Sequence, residues 1–160
     1  MEAVEATKEL ADGNVNPQLL TASLLHDIGL TETYDRGGCF ESDGADAARE
    51  LLDDLGWPVD RADRVGRAIY LHMHDVASDE PAEAHLLAFG TSVDVSGRRL
   101  HEIDEPLRDA FLETYPRLGF KRHFLALFED QAARKPQCVV HTYLHEQGGA
   151  SRILAAPFAE

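Results

Sequence analysis

Positive charge is scarce in this sequence. Lys8, Lys121 and Lys135 are its only lysines, and Lys and Arg together number 15 against 29 Asp and Glu, for a formal net charge of −14. A nucleic-acid partner needs a basic patch to neutralise phosphates. Adjacent basic residues occur only as scattered pairs such as Arg98-Arg99, which make no such patch, so nucleic acid is not an expected partner. Long hydrophobic runs are missing too. No stretch approaches the roughly 20 apolar residues that a membrane-spanning helix needs, so no membrane partner is expected. The opening residues Met1-Glu2-Ala3-Val4-Glu5-Ala6 lack a signal peptide's basic start and apolar centre, and a cytoplasmic location is expected. Cysteine occurs twice, as Cys39 and Cys138, with no CxxC pair or zinc-finger spacing. Two ordinary thiols are the expectation in that compartment. Strand patterning is absent as well: no alternating segments flank a hairpin dipeptide, and Asp43-Gly44 lies inside a helical pattern.

What is present reads as helices joined by short turns. A chain of 160 residues suits one domain with a proper core. The first helix is expected over 2–12, ending at Asp12-Gly13-Asn14. Asn16 and Pro17 then provide a cap and a first helical residue. The helix that follows runs through Leu19, Leu20, Ala22, Leu24 and Leu25 to about Gly29. Being apolar on nearly all sides, it is expected to be the central buried helix. A loop at 31–39 leads to a helix over 41–55, with Ala45, Ala48, Leu51, Leu52 and Leu55 on its apolar face. Gly56-Trp57-Pro58 stops that helix, and Asp60 is expected to cap the next, over 61–74. Further helices are expected over 82–96, from Glu105 to Tyr115, over 120–134, and from Pro136 to about His145. The fold class is therefore all-α, a bundle of about seven to eight helices. One domain is expected over 1–147, with a loose tail over 148–160.

Chemistry is concentrated at a few interruptions of the apolar pattern. In Leu24-Leu25-His26-Asp27-Ile28-Gly29, an imidazole and a carboxylate sit at the end of an apolar helix. Burying both is costly without compensation. A transition ion supplies it, because both groups are good ligands. A hydrogen-bonded His-Asp pair capping the helix supplies it equally well. Asp94, in Val93-Asp94-Val95-Ser96-Gly97, is a lone carboxylate near a helix C-terminus, where the dipole disfavours it. Gly90, Thr91 and Ser92 before it would let a helix or a ligand approach closely. His72 lies three residues after Ile69 on a buried face, while His74 and Asp75 are expected to face solvent. Glu41, Asp43 and Asp46 crowd a helix start, where negative charge is stabilised. The remaining histidines, among them His141 and His145, are expected in surface or satisfied structural roles.

Taken together these segments resemble the HD superfamily of metal-dependent phosphohydrolases. Phe40-Glu41-Ser42-Asp43-Gly44-Ala45-Asp46-Ala47-Ala48, Ile69-Tyr70-Leu71-His72 and Val93-Asp94-Val95-Ser96-Gly97 look like the corresponding segments of its cyanamide-hydratase-like branch. Tyr115-Pro116-Arg117 with Phe120-Lys121, and Ala133-Arg134-Lys135-Pro136, look similar to that branch as well. The likeness runs from about Asn16 to His145. It implies an all-helical fold around one divalent transition ion (zinc, iron or manganese) held by His26, Asp27 and Asp94. The family's early histidine ligand has no match: residues 1–25 contain no histidine, and the expectation is a shortened N-terminus. The resemblance further implies catalysis by a metal-activated water, with Asp27 orienting it. His72 is expected to donate or shuttle a proton, given an ordinary pKa near 6.5, and Glu41 to hydrogen-bond a ligand. The expected substrate is a small molecule, either a nitrile-type compound such as cyanamide or a phosphate ester. Homo-oligomerisation is left open. The alternatives are a non-catalytic helical module that binds a nucleotide or protein, and a purely structural bundle.

Overall fold

The computed structural model describes residues 16–160, and among these every regular element is helical. The helix expected over 2–12 lies outside the described residues. The α-helices are α1 (Pro17–Leu25), α2 (Phe40–Asp54), α3 (Val59–Leu71), α4 (Ala82–Ser96), α5 (Glu105–Thr114), α6 (Phe120–Arg134), α7 (Val139–His145) and α8 (Gly149–Ala155). Short 3-10 turns occupy Ile28–Leu30 and Leu100–Glu102. This is the all-α bundle expected from the sequence. The chain forms two compact units, one ending at Phe89 and one running from Gly90 to Glu160, with the boundary inside α4. No helix among the described residues is long and apolar enough to cross a membrane.

In the first unit, the Asn16 carboxamide oxygen accepts from the N–H groups of Gln18 (2.9 Å) and Leu19 (3.0 Å), the expected cap. The role assigned to α1 needs correcting. Only Ala22 of this helix is fully buried, Leu20 is half-exposed and Leu24 is 76% exposed. The core instead lies mainly between α2 and α3, which make the most extensive helix–helix contact. Ala45, Ala48, Leu52, Ala62, Val65, Ala68 and Ile69 form its centre, together with Ala22 and Leu87. Alanine at so many of these positions lets the helices approach closely. Leu55, expected on the buried face of α2, is exposed, because the helix stops just before it. Gly56 takes a left-handed φ of 74°, and the N–H of Trp57 folds back onto the Leu52 carbonyl at 2.9 Å. Pro58, not Asp60, is the N-cap residue of α3, and Asp60 sits in its first turn.

In the second unit, Phe120, Phe124 and Phe128 stack along α6 with ring centres 4.9 and 4.2 Å apart. The i, i+4 spacing puts these rings on one face. They share a core with Val140, Ile153, Ala156 and Phe158, all buried. The last two residues and Ile153 belong to the stretch expected to be a loose tail, so that expectation fails. Residues 149–155 form α8, which packs on α6 and α7 through Ile153. Neither cysteine is a free thiol, contrary to the expectation of two ordinary ones. Sequence spacing alone carries no signal for this.

Candidate metal centre in the first unit

His26 is the C-cap of α1, and Asp27 leads into the 3-10 turn at Ile28–Leu30. That turn lies against the first turns of α2 by direct backbone contact. A Cβ on Gly29 would stand 2.1 Å from the Phe40 carbonyl oxygen and 2.9 Å from the Gly44 nitrogen. Only glycine fits, and glycine at 44 completes the approach. The last turn of α3 brings in His72, whose side chain is only 2% exposed. Its ring meets those of His26 and Phe40 edge-on, at 5.2 and 5.4 Å.

Backbone carbonyls fix the protons on both imidazoles. Nδ1 of His26 lies 2.8 Å from the Ser23 oxygen, and Nδ1 of His72 lies 2.5 Å from the Ile69 oxygen. A carbonyl only accepts, so each Nδ1 carries the hydrogen and donates it. In a neutral His72 ring Nε2 is then an acceptor lone pair. Both Nε2 atoms face the Asp27 carboxylate, His26 at 3.3 Å from Oδ2 and His72 at 3.9 Å from Oδ1. Oδ1 of Asp27 is buried and has no hydrogen-bond partner among the described residues. Burial pushes the His72 pKa down to about 4, outweighing the neighbouring Asp27 charge that raises it. His72 is therefore neutral near pH 7. Its pKa therefore departs from the ordinary value near 6.5, and in the neutral ring its Nε2 is an acceptor. The His72 Nε2 lone pair and the unpartnered Asp27 Oδ1 thus face each other with no hydrogen between them, an arrangement that a cation would relieve.

Behind this cluster stands a second pair. Glu41, in the first turn of α2, is 2% exposed. His74 turns toward it, with Nε2 3.7 Å from Oε1, while its ring stacks on Tyr70 at 5.1 Å. His74 thus faces a buried carboxylate, not solvent as expected. Nothing local in the sequence signals this, because Glu41 and His74 lie on different elements. Asp43, two residues on from Glu41, is a loop clamp: its Oδ2 accepts from the N–H groups of Arg36 and Gly38.

Asp94 belongs to the second unit. It is exposed, and its carboxylate forms an ion pair with Arg117 Nη1. Arg117 Nη2 also donates to the Asp94 backbone oxygen at 3.0 Å. The guanidinium is held between the rings of Phe120 and Phe158, at 4.3 and 4.8 Å. Arg117 thus supplies the positive charge that an acid at a helix C-terminus needs. Gly90 offers no close approach: among the described residues a Cβ there would meet nothing within 4 Å.

No family model and no curated protein matches the sequence.

The residues of the first unit can be tested directly against the implied ion. Metal-ligating histidines typically donate their other N–H to a carbonyl or carboxylate, and His26 and His72 both do. Ligand atoms about 2.1 Å from a tetrahedral ion stand roughly 3.4 Å apart, and the spacings of 3.3 and 3.9 Å bracket that value. The orphaned Oδ1 of Asp27 fits as well. The cluster is still open: no group of three or more His, Cys, Asp or Glu among the described residues is already arranged as a metal cage. The structure brings the His72 ring, which the sequence does not group with the implied ligands, beside His26 and Asp27.

Proposed function

We propose that this chain is a metal-dependent hydrolase of the HD type, acting on a small molecule through an activated water. The main support is the Asp27 carboxylate: its buried Oδ1 has no hydrogen-bond partner among the described residues and is faced by His72 Nε2, while His26 Nε2 faces Oδ2. In this reading His26 and Asp27 hold one divalent transition ion, zinc, iron or manganese. A bound ion of this kind lowers the pKa of water and polarises the substrate. The chain's own groups do the rest. Asp27 orients the water through its buried oxygen. His72, neutral and anchored on the Ile69 carbonyl, offers Nε2 as a hydrogen-bond acceptor beside it. Glu41, braced by His74, accepts from a substrate N–H. The scarcity of basic residues favours a small uncharged substrate of nitrile type, such as cyanamide, over a phosphate ester. A cytoplasmic setting remains part of the proposal.

A second reading, a non-catalytic module that binds a nucleotide or protein, is supported by one observation: the Asp94 carboxylate is already engaged by Arg117. One experiment separates the two. Transition metal per protomer is measured on tag-free protein, alongside Asp27→Asn and Asp94→Ala, and each protein is assayed on cyanamide and a panel of phosphate esters. The hydrolase reading expects about one equivalent of metal that depends on Asp27, together with turnover that Asp27→Asn abolishes. Metal content indifferent to Asp27, with no turnover on any substrate, would sink it.

A further inference from the structure

The second unit holds a pair of imidazoles that the proposed chemistry leaves unused. His141 and His145 are four residues apart in α7, so they share one helix face. Their ring centres are 4.5 Å apart, with the planes inclined at 52°. The rest of the helix fixes which way they point. Val140 is fully buried, and the Tyr143 ring meets Phe128 edge-on at 6.2 Å, which sets the inward face. His141 is left half-buried and His145 exposed. Neither imidazole has a hydrogen-bond or ion-pair partner among the described residues, although each carries a strong donor or acceptor nitrogen.

We propose that His141 and His145 form a second transition-metal site, a two-imidazole chelate for borderline divalent ions such as nickel, copper and zinc. Two nitrogens bound to one ion at about 2.0–2.1 Å stand roughly 3 Å apart. With ring centres already at 4.5 Å, rotation of the exposed His145 about its side-chain torsions brings the nitrogens to that spacing. The packing of α7 on α6 and α8 holds the backbone, so the chelate forms without refolding the helix. His145 is the last residue of the helix, where the dipole favours a cation. The ligand chemistry sets the class of ion. Imidazole nitrogen selects nickel, copper and zinc, whereas magnesium and calcium require oxygen donors that this pair does not offer. The site stands on residues of the second unit alone and does not depend on the hydrolase reading.

The test uses the tag-free chain carrying Asp27→Asn, which removes the carboxylate of the first-unit cluster; the His26 and His72 nitrogens left there are common to every protein compared. Nickel is titrated calorimetrically into this protein, into the same protein with His145→Ala, and into one with His141→Ala, with magnesium as the control ion. One equivalent of nickel is expected in the first protein. Affinity should drop roughly a hundredfold in either histidine variant, as a two-point attachment becomes a single one. Magnesium should give no binding heat in any of them. Circular dichroism of the His145→Ala protein, altered only at an exposed position, checks that the helix is intact. The proposal is overturned if the Asp27→Asn protein takes up no nickel, or if removing His145 leaves its nickel affinity unchanged. A failure of the hydrolase reading would appear separately, as metal content and turnover indifferent to Asp27.

Discussion

The carboxylate of Asp43 lies 2.8 Å from the N–H of Arg36 and 3.0 Å from that of Gly38. It reaches back from α2 over the loop that leads into Phe40 and Glu41, so one buried side chain sets the entry angle of the helix beside the candidate metal centre. Leaving two backbone donors without an acceptor costs about 1–2 kcal/mol where water can partly replace it. Asp43→Ala is expected to lower the unfolding free energy by that amount, read as a lower urea midpoint with an unchanged slope, and Asp43→Asn, which keeps one acceptor oxygen, to lose less. A midpoint unmoved by the alanine change would show that the loop is held by other means. The residues at this scale differ in how far their roles could be read beforehand. His26 and Asp27 are legible because polar groups interrupt an apolar run, and His72 because it continues the spacing of Ile69. His74 and Arg117 are not. Their partners, Glu41 and Asp94, lie on other elements, and a pairing between distant segments leaves no local trace. The lowered pKa of His72 is likewise invisible, since it comes from burial that only the folded chain creates.

At the scale of elements, two glycines that look alike in sequence have opposite surroundings. Gly29 lies in a 3-10 turn with the Phe40 carbonyl where its Cβ would be, while Gly90 is a helical residue of α4 with no described residue within 4 Å of where its Cβ would be. Gly29→Ala must push the turn away from α2, and overpacking against backbone typically costs about 1–3 kcal/mol. It should also displace Asp27, two residues before it. Gly90→Ala relieves the entropic cost of glycine in a helix and is expected to stabilise by about 0.5–1 kcal/mol. Thermal melts of the two variants should therefore move in opposite directions, and equal shifts would contradict the packing described for Gly29. Helix boundaries were largely readable from caps and stops: Asn16-Pro17, Gly56-Trp57-Pro58 and Glu105-Pro106 all fall at or within a residue of an observed end. Burial was less readable. The apolar α1 looked central but exposes Leu24, because composition states what a helix is able to bury, not which neighbour covers it. The last helix was missed for a related reason. A seven-residue segment with only Ile153 and Leu154 as large apolar residues carries too little periodicity to stand out, and it is held by the aromatic core of α6.

For the whole molecule, the dominant electrostatic fact is a net charge of −14 on 160 residues. Two effects of salt compete. Screening weakens ion pairs, and Arg36, Arg49, Arg67, Arg99, Arg108 and Arg134 each hold a carboxylate. These pairs are largely solvent-exposed, and exposed pairs contribute little to begin with. Screening also relieves repulsion among the many acids that have no basic partner to offset them. This repulsion is long-ranged at low salt, where the Debye length is about 30 Å, and is cut to about 3 Å at 1 M. Because the acids outnumber the bases nearly two to one, repulsion wins over the loss of weak pairs. The melting temperature is therefore expected to rise as sodium chloride increases from about 10 mM to 1 M. A gain of about 1 kcal/mol corresponds to roughly 2–4 °C for a chain of this size. Choline chloride should give the same rise at equal ionic strength, since screening does not depend on the identity of the cation. A fall in melting temperature with salt would mean that the surface ion pairs carry more of the stability than their exposure suggests. A rise with sodium but not with choline would point to specific cation binding at the acidic surface in place of screening.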